Sequence, residues 1–368
     1  MGTFSTSTST STSSSTPTSR RRTLLVATAV VAAAAGVTAF VLPGDGEGDS
    51  ARGGTHGAHS QSVEVQSGGA AVSRDGAGVS RGGALLVASM NGANEVPVQG
   101  GPAVGDKDGK ALEFVQVKGD RVTVTVKWRG TGRPTMLHIH QGNKGVNGGI
   151  KVDFTKLLGA IKGNSVTGTV KVADAALLKQ LKADPGGFYA NLHTAEFPGG
   201  AVRGQLHKVS ANIGFQGARA SFQASVIQGQ QIYECKKAAG GAATGSGSGA
   251  GSGSDSGKFA FAQRDVRARL GGDIAHSFVA PNSGTPQWIA PDRSAVTGQL
   301  VSKTPNGTEN IPELDLRATQ SGKRQGLLAG TAEILRLNTV GGVAPSGSCA
   351  KGAVVGVPYQ ADYVFVRR

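Results

Sequence analysis

Most marks of an enzyme are missing from this sequence. It holds no phosphate-binding loop, no nucleophile elbow and no pair of carboxylates at a spacing suited to acid–base chemistry. No Lys/Arg cluster is interleaved with aromatic residues, which argues against nucleic acid as a partner. Cysteines number two, aromatic residues make up 5%, and no long amphipathic helix pattern appears. A chain this poor in aromatics and this rich in glycine, with 58, needs many turns. These shortages favour a turn-rich β protein that binds rather than turns over a substrate; an enzymatic role stays open, with the balance against it.

What is present begins with an export pattern. Residues 1–19 are Ser/Thr-rich and of low complexity. Arg20, Arg21 and Arg22 then precede an apolar, Ala/Val-rich run over 24–42. Positive charge ahead of an apolar run holds the first end in the cytoplasm, so the following chain is translocated. Val37, Thr38 and Ala39 offer small residues for a signal peptidase, and cleavage after Ala39 is favoured. At about 19 residues the run is also just long enough to remain as a membrane anchor. The run 19–24 loosely resembles a twin-arginine signal, with Thr23 where an aromatic is usual, so the export route stays open. No cysteine stands directly after the run, which excludes a lipoprotein anchor. The expected location is extracellular or in the cell envelope.

With 368 residues the chain has room for about two domains. Residues 43–83 read as a flexible linker. From 84 to 208 short strands dominate. The run 121–128 alternates strictly, with Val122, Val124 and Val126 on one face, and 173–182 reads as a short helix capped by Asp174. A second β-rich domain covers 211–368, interrupted by a Gly/Ala/Ser insert at 238–257 that is expected to be disordered. The fold class is all-β: a Greek-key β-sandwich, superoxide-dismutase-like or immunoglobulin-like, followed by a disulfide-linked β domain. In an exported chain Cys235 and Cys349, at opposite ends of one domain, are expected to pair. The bridge would close a loop of about 115 residues, worth at most roughly 4–5 kcal/mol by chain entropy. The net charge of +14 suits an anionic partner such as a cell-wall polymer; it equally suits a solvated basic surface. An extracellular protein is the other partner considered, and a membrane enters only through the N-terminal segment if uncleaved.

Three segments in 84–208 carry a family likeness: Asn91 to Pro97, reading NGANEVP; Leu137 to Gly142 with Gly145 to Gly148; and Gly187 to Leu206. They resemble a CHRD domain, the module repeated in chordin and also found alone in exported bacterial proteins. The resemblance implies a β fold and extracellular residence, and supplies no reaction.

Side chains alternate along a strand, so Leu137 and Ile139 face the core while His138 and His140 face the outer or loop-covered side. The same alternation puts His193 with Tyr189 and Asn191, opposite Phe188, Ala190 and Leu192. If the two strands are neighbours, His138, His140 and His193 converge. His-x-His plus a distant third His is similar to the copper half of Cu/Zn superoxide dismutase, where a Gly-rich segment and an Arg-containing strand also follow. That likeness implies a three-His site, which suits Cu or Zn, with Arg203 behind the ligands or facing an anion; apart from the likeness, Glu196 is a candidate for the same supporting or anion-facing role and Asp153 for a partner that fixes an imidazole tautomer. Missing are a His/His/Asp zinc set, a bridging His and a cysteine in this domain, so dismutation is not implied. The competing reading makes His138 and His193 hydrogen-bonding braces for the loops at 142–149 and 196–200.

Residues 211–368 resemble the DUF3455 family through Gln231 to Cys235, Gly284 to Trp288, Asp292 to Gly298, Ile334 to Pro345 and Pro358 to Phe365. The likeness implies a fold and no activity. Trp288, with Tyr233, Tyr359 and Tyr363, could stack on a sugar, or simply fill the core of an aromatic-poor domain. His276 has no partner nearby in sequence. Two functions follow: a non-catalytic binding or matrix module at the cell envelope, or a mononuclear Cu or Zn protein.

Overall fold

The computed structural model describes residues 63–64, 83–238 and 259–368. The export segment, the linker apart from 63–64 and Gly83, and the 238–257 insert apart from Ala238 lie outside the described residues. The protein is nearly all β, as expected, with 55% strand and 10% helix.

The first domain strings together β1 (Val63–Glu64), β2 (Ala84–Asn91), β3 (Lys110–Lys118), β4 (Arg121–Arg129), β5 (Pro134–Gln141), β6 (Ile150–Asp153) and β7 (Ser165–Lys171). Helix α1 (Ala175–Ala183), β8 (Phe188–Thr194), β9 (Val202–Gln205) and β10 (His207–Lys208) complete it. They form one antiparallel sheet path in the order β1-β7-β4-β3-β2-β9-β8-β5-β6, with β10 on β2. A single residue pair, Asn91 with Arg203, joins β2 to β9, so the path divides there into two halves. The halves share one core, to which β4 gives Val122, Val124 and Val126 and β5 and β8 give Leu137, Ile139, Phe188, Ala190 and Leu192. Each of these side chains larger than alanine, fully buried, contributes roughly 1.5–3 kcal/mol. The opposite face of β4 carries Thr123 and Thr125, whose hydroxyls meet those of Thr169 and Thr167 on β7 at 2.9 and 2.8 Å. Asp174 caps α1 through the Leu177 N–H at 2.9 Å, and Leu177, Leu178 and Leu181 bury the inner face. Val63–Glu64 pairs with β7, where the linker was expected to carry no regular structure; β7 is otherwise an edge with free backbone groups.

The second domain opens with α2 (Phe215–Ala220). It continues through β11 (Phe222–Lys237), β12 (Phe259–Leu270), β13 (Ile274–Phe278), β14 (Pro286–Ile289), β15 (Ala295–Thr304), β16 (Glu313–Gln320), β17 (Thr331–Gly341) and β18 (Val354–Arg367). Each strand pairs with the next and β18 pairs back on β11, which closes an eight-stranded antiparallel barrel. β11 runs as one long strand with an irregularity between Val226 and Gln228. Cys235 and Cys349 form the expected disulfide, with Cα atoms 5.9 Å apart, tying the β17–β18 connection to β11.

A third apolar cluster spans both domains. Val87 of β2 and Leu112 and Phe114 of β3 meet Leu335 and Leu337 of β17 and Val364 and Val366 of β18. These strands are therefore apolar on both faces, one toward their own core and one toward the other domain. Buried within the seam, the Asp362 carboxylate accepts from Ser89 Oγ at 3.2 Å, Asn91 Nδ2 at 3.2 Å and Asn338 Nδ2 at 2.8 Å.

Candidate metal centre

Strands β5 and β8 are neighbours, with His138 opposite Asn191 and His140 opposite Tyr189. The condition for convergence is thus met, and His138, His140 and His193 each offer a ring nitrogen within 4.8 Å of the others. All three lie under loops rather than in solvent, at 4%, 9% and 7% exposure.

The hydrogen bonds fix which nitrogens can serve. A carbonyl oxygen only accepts, so His140 Nδ1, 2.9 Å from Gly148 O, and His193 Nδ1, 3.0 Å from Pro198 O, both carry hydrogen. Each ring then presents an Nε2 lone pair inward. The brace reading is thereby partly met, with His140 rather than His138 holding the 142–149 loop. His138 Nδ1 lies 3.3 Å from His193 Nε2, while its Nε2 faces Thr155 Oγ1 at 3.3 Å and the Asp153 carboxylate at 3.5 Å. His138 has two neutral forms, of which only the first satisfies both of its ring nitrogens. In one, Nδ1–H donates to His193 and Nε2 accepts from Thr155. In the other, Nε2–H donates to Asp153 and Nδ1 joins the inward lone pairs. His140 Nε2 is buried without a partner in either form.

Burial keeps the three rings neutral. It lowers His138 to about 4, helped by His193 and opposed by Asp153, and it lowers His140 and His193 below the usual 6.5. Neutral imidazole is the form that binds a metal.

Arg203 stands behind this cluster of rings. Its guanidinium lies 3.4 Å from the centroid of the Tyr189 ring, whose other stacking neighbour, His140, is 4.9 Å away centroid to centroid. It donates to Asn147 Oδ1 at 2.9 Å, Asn143 O at 3.2 Å and Val146 O at 2.7 Å, and so pins the loop whose Gly148 carbonyl orients His140. Gly148 must be glycine, because a Cβ there would lie 1.6 Å from Gln141 O. Of the two roles weighed for Arg203, support is the one its contacts fill. Glu196 is exposed on the turn after β8, so it does not back the ligands. The carboxyl that closes this region is Glu95, from the NGANEVP segment: Asn191 Nδ2 reaches its Oε2 at 3.4 Å, and burial pushes it up to about 7 against the pull of Arg203. Alternation already places Tyr189 on the face of His193; Glu95 has no sequence signal beyond its position inside the NGANEVP segment.

Trp288 lies on β14, fully buried, with the His276 ring stacked on it at 4.4 Å, so no face is open at the surface for a sugar. His276 does have partners, accepting at Nε2 from Tyr363 Oη at 3.1 Å and donating from Nδ1 to Gln287 O at 2.9 Å.

Comparison with known proteins gives two family matches. Residues 86–206 match the CHRD domain, and residues 261–367 match the family described as a protein of unknown function (DUF3455). No curated protein and no solved structure matches the chain. The first match spans the residues that build the three-His cluster, its loop and its arginine brace. The chain thus joins a CHRD domain to a DUF3455 domain in one polypeptide.

Proposed function

We propose that the CHRD domain is a mononuclear Cu- or Zn-binding module, held by His138 Nδ1, His140 Nε2 and His193 Nε2, in a protein that works outside the cytoplasm. The observation that carries this is the buried His140 Nε2 lone pair, which has no hydrogen-bond partner and faces two further imidazoles. A buried acceptor left unmade costs about 1–3 kcal/mol, and a metal would satisfy it. Two nitrogens bound to one tetrahedral ion sit roughly 3.3 Å apart, which is the His138–His193 spacing. The metal would supply Lewis acidity or, if copper, a redox centre; the protein's own part is to hold three neutral donors in place. Support for a relation to the copper half of Cu/Zn superoxide dismutase comes from the ligand pattern and from the two halves sharing one core. Because every ligand is less than a tenth exposed, the reading favours holding a metal over turning over a substrate.

The cleaved signal and extracellular or envelope location belong to the same proposal. The disulfide supports an oxidising compartment. Among the described residues no helix is long and apolar enough to cross a membrane. Cleavage removes three arginines from the net +14, and the remaining +11 supports an anionic wall polymer as partner. Elemental analysis of secreted protein purified without a His-tag tests the metal. About one Cu or Zn per chain is expected, lost in H140A. Protein that is metal-free and takes up neither ion at micromolar concentration would overturn it.

A further inference from the structure

The barrel of the second domain encloses a cavity of about 320 Å³ between its inward-facing side chains. A cavity of roughly 150 Å³ suffices for benzene, so this one has room for a ring and a polar head. Much of its wall is apolar, with Val266, Phe278, Leu314 and Leu316 among the lining residues. Leu300 also lines it and is 56% exposed, which marks the rim.

The polar groups on this wall are unevenly satisfied. Tyr359, Tyr363 and His276 form a chain that Arg336 also joins at Tyr363: the tyrosine hydroxyls lie 3.2 Å apart, Tyr363 reaches His276 Nε2, and His276 Nδ1–H ends on Gln287 O. Burial lowers His276 to about 3, so it is neutral and brings no charge. What remains are donors. Trp288 Nε1–H and Gln231 Nε2–H are buried without partners, on residues 0% and 1% exposed. Gln231 Oε1 already accepts from Gln263 at 2.7 Å, so only its N–H groups are left. Arg336 adds a cation. It is 9% exposed and holds Pro312 O through Nε at 3.2 Å and Nη2 at 2.7 Å; among the described residues no carboxylate pairs with it. A buried guanidinium facing an apolar cavity without a counter-charge is costly unless an anion joins it.

From the unpartnered donors and the unpaired guanidinium in one cavity, we infer that the barrel binds a small organic carboxylate with an apolar, ring-sized body. The carboxylate accepts from Arg336, Gln231 and Trp288, and the body lies against the apolar wall. This site is separate from the three-His cluster and does not depend on the metal reading.

The test uses the full-length protein with matched probes, 3-phenylpropanoate and 3-phenylpropan-1-ol, followed by the indole N–H resonances of its two tryptophans. The acid is expected to shift the Trp288 resonance saturably and leave that of Trp128 in place, and to bind about tenfold or more tighter than the alcohol. R336Q is expected to remove the preference for the acid. No shift at Trp288 up to about 10 mM acid, or equal binding of acid and alcohol, would overturn the inference. So would a folded R336Q that keeps the preference. If R336Q does not fold, the ranking of the two probes on the unaltered protein decides.

Discussion

Glu113 lies on β3 between Leu112 and Phe114, which face the domain seam, so its side chain points into the core of the first domain. Both carboxyl oxygens are buried without partners, and burial alone pushes the group up to about 8. The unfolded chain ionises this carboxyl near its usual 4.5, so between there and about 8 the native state holds a proton that the unfolded chain has released. Stability therefore falls as pH rises through that window. Glu95 and Glu333 act the same way but only to about 7. The lowered histidines act in the opposite sense, below 6.5. From pH 7 to 8 Glu113 remains the main term. Urea denaturation should show the unaltered protein losing about 1 kcal/mol over that unit and E113Q losing almost none. Equal slopes for the two would contradict the burial of an unpaired acid. Nothing in the sequence marked Glu113, since a strand of alternating residues gives a lone Glu to solvent by default. The three histidines were legible for the same reason in reverse: alternation set them opposite Leu137, Ile139 and Leu192.

At the level of elements, alternation served best where one face is polar. β4 reads cleanly because its second face is a threonine ladder against β7. It failed to reveal the role of β2, β3, β17 and β18, whose outer faces are apolar because another domain covers them. The connection between β5 and β6 is legible in sequence as a family segment and a loop for a histidine to brace, but not as the target of an arginine. Its use follows from Arg203, which clamps it at three points while stacked on Tyr189. R203M should loosen the Gly148 carbonyl that orients His140 and weaken metal affinity by about 10- to 100-fold with all three ligands intact. A competition titration against a chelator would measure this; unchanged affinity would mean that the loop holds itself.

For the whole molecule, the fusion of two domains has a physical basis in the seam. The apolar cluster and the Asp362 hub would both be exposed if either domain stood alone. V364D puts an unpaired carboxylate into that cluster at a residue with no exposure, and should destabilise the protein by about 3 kcal/mol or more. Its urea profile should then separate into two transitions, whereas an unchanged midpoint would argue that the domains are independent. The closed barrel was not legible in sequence beyond its short strands, because closure depends on β18 meeting β11 across more than a hundred residues. The metal site remains the central claim. Cu(II) binds a nitrogen site more tightly than Zn(II), so it is the stricter probe. The paramagnetic resonance spectrum of tag-free protein with equimolar Cu(II) should show nitrogen hyperfine structure that disappears in H140A. A spectrum of hydrated Cu(II), or one indifferent to H140A, would contradict the account.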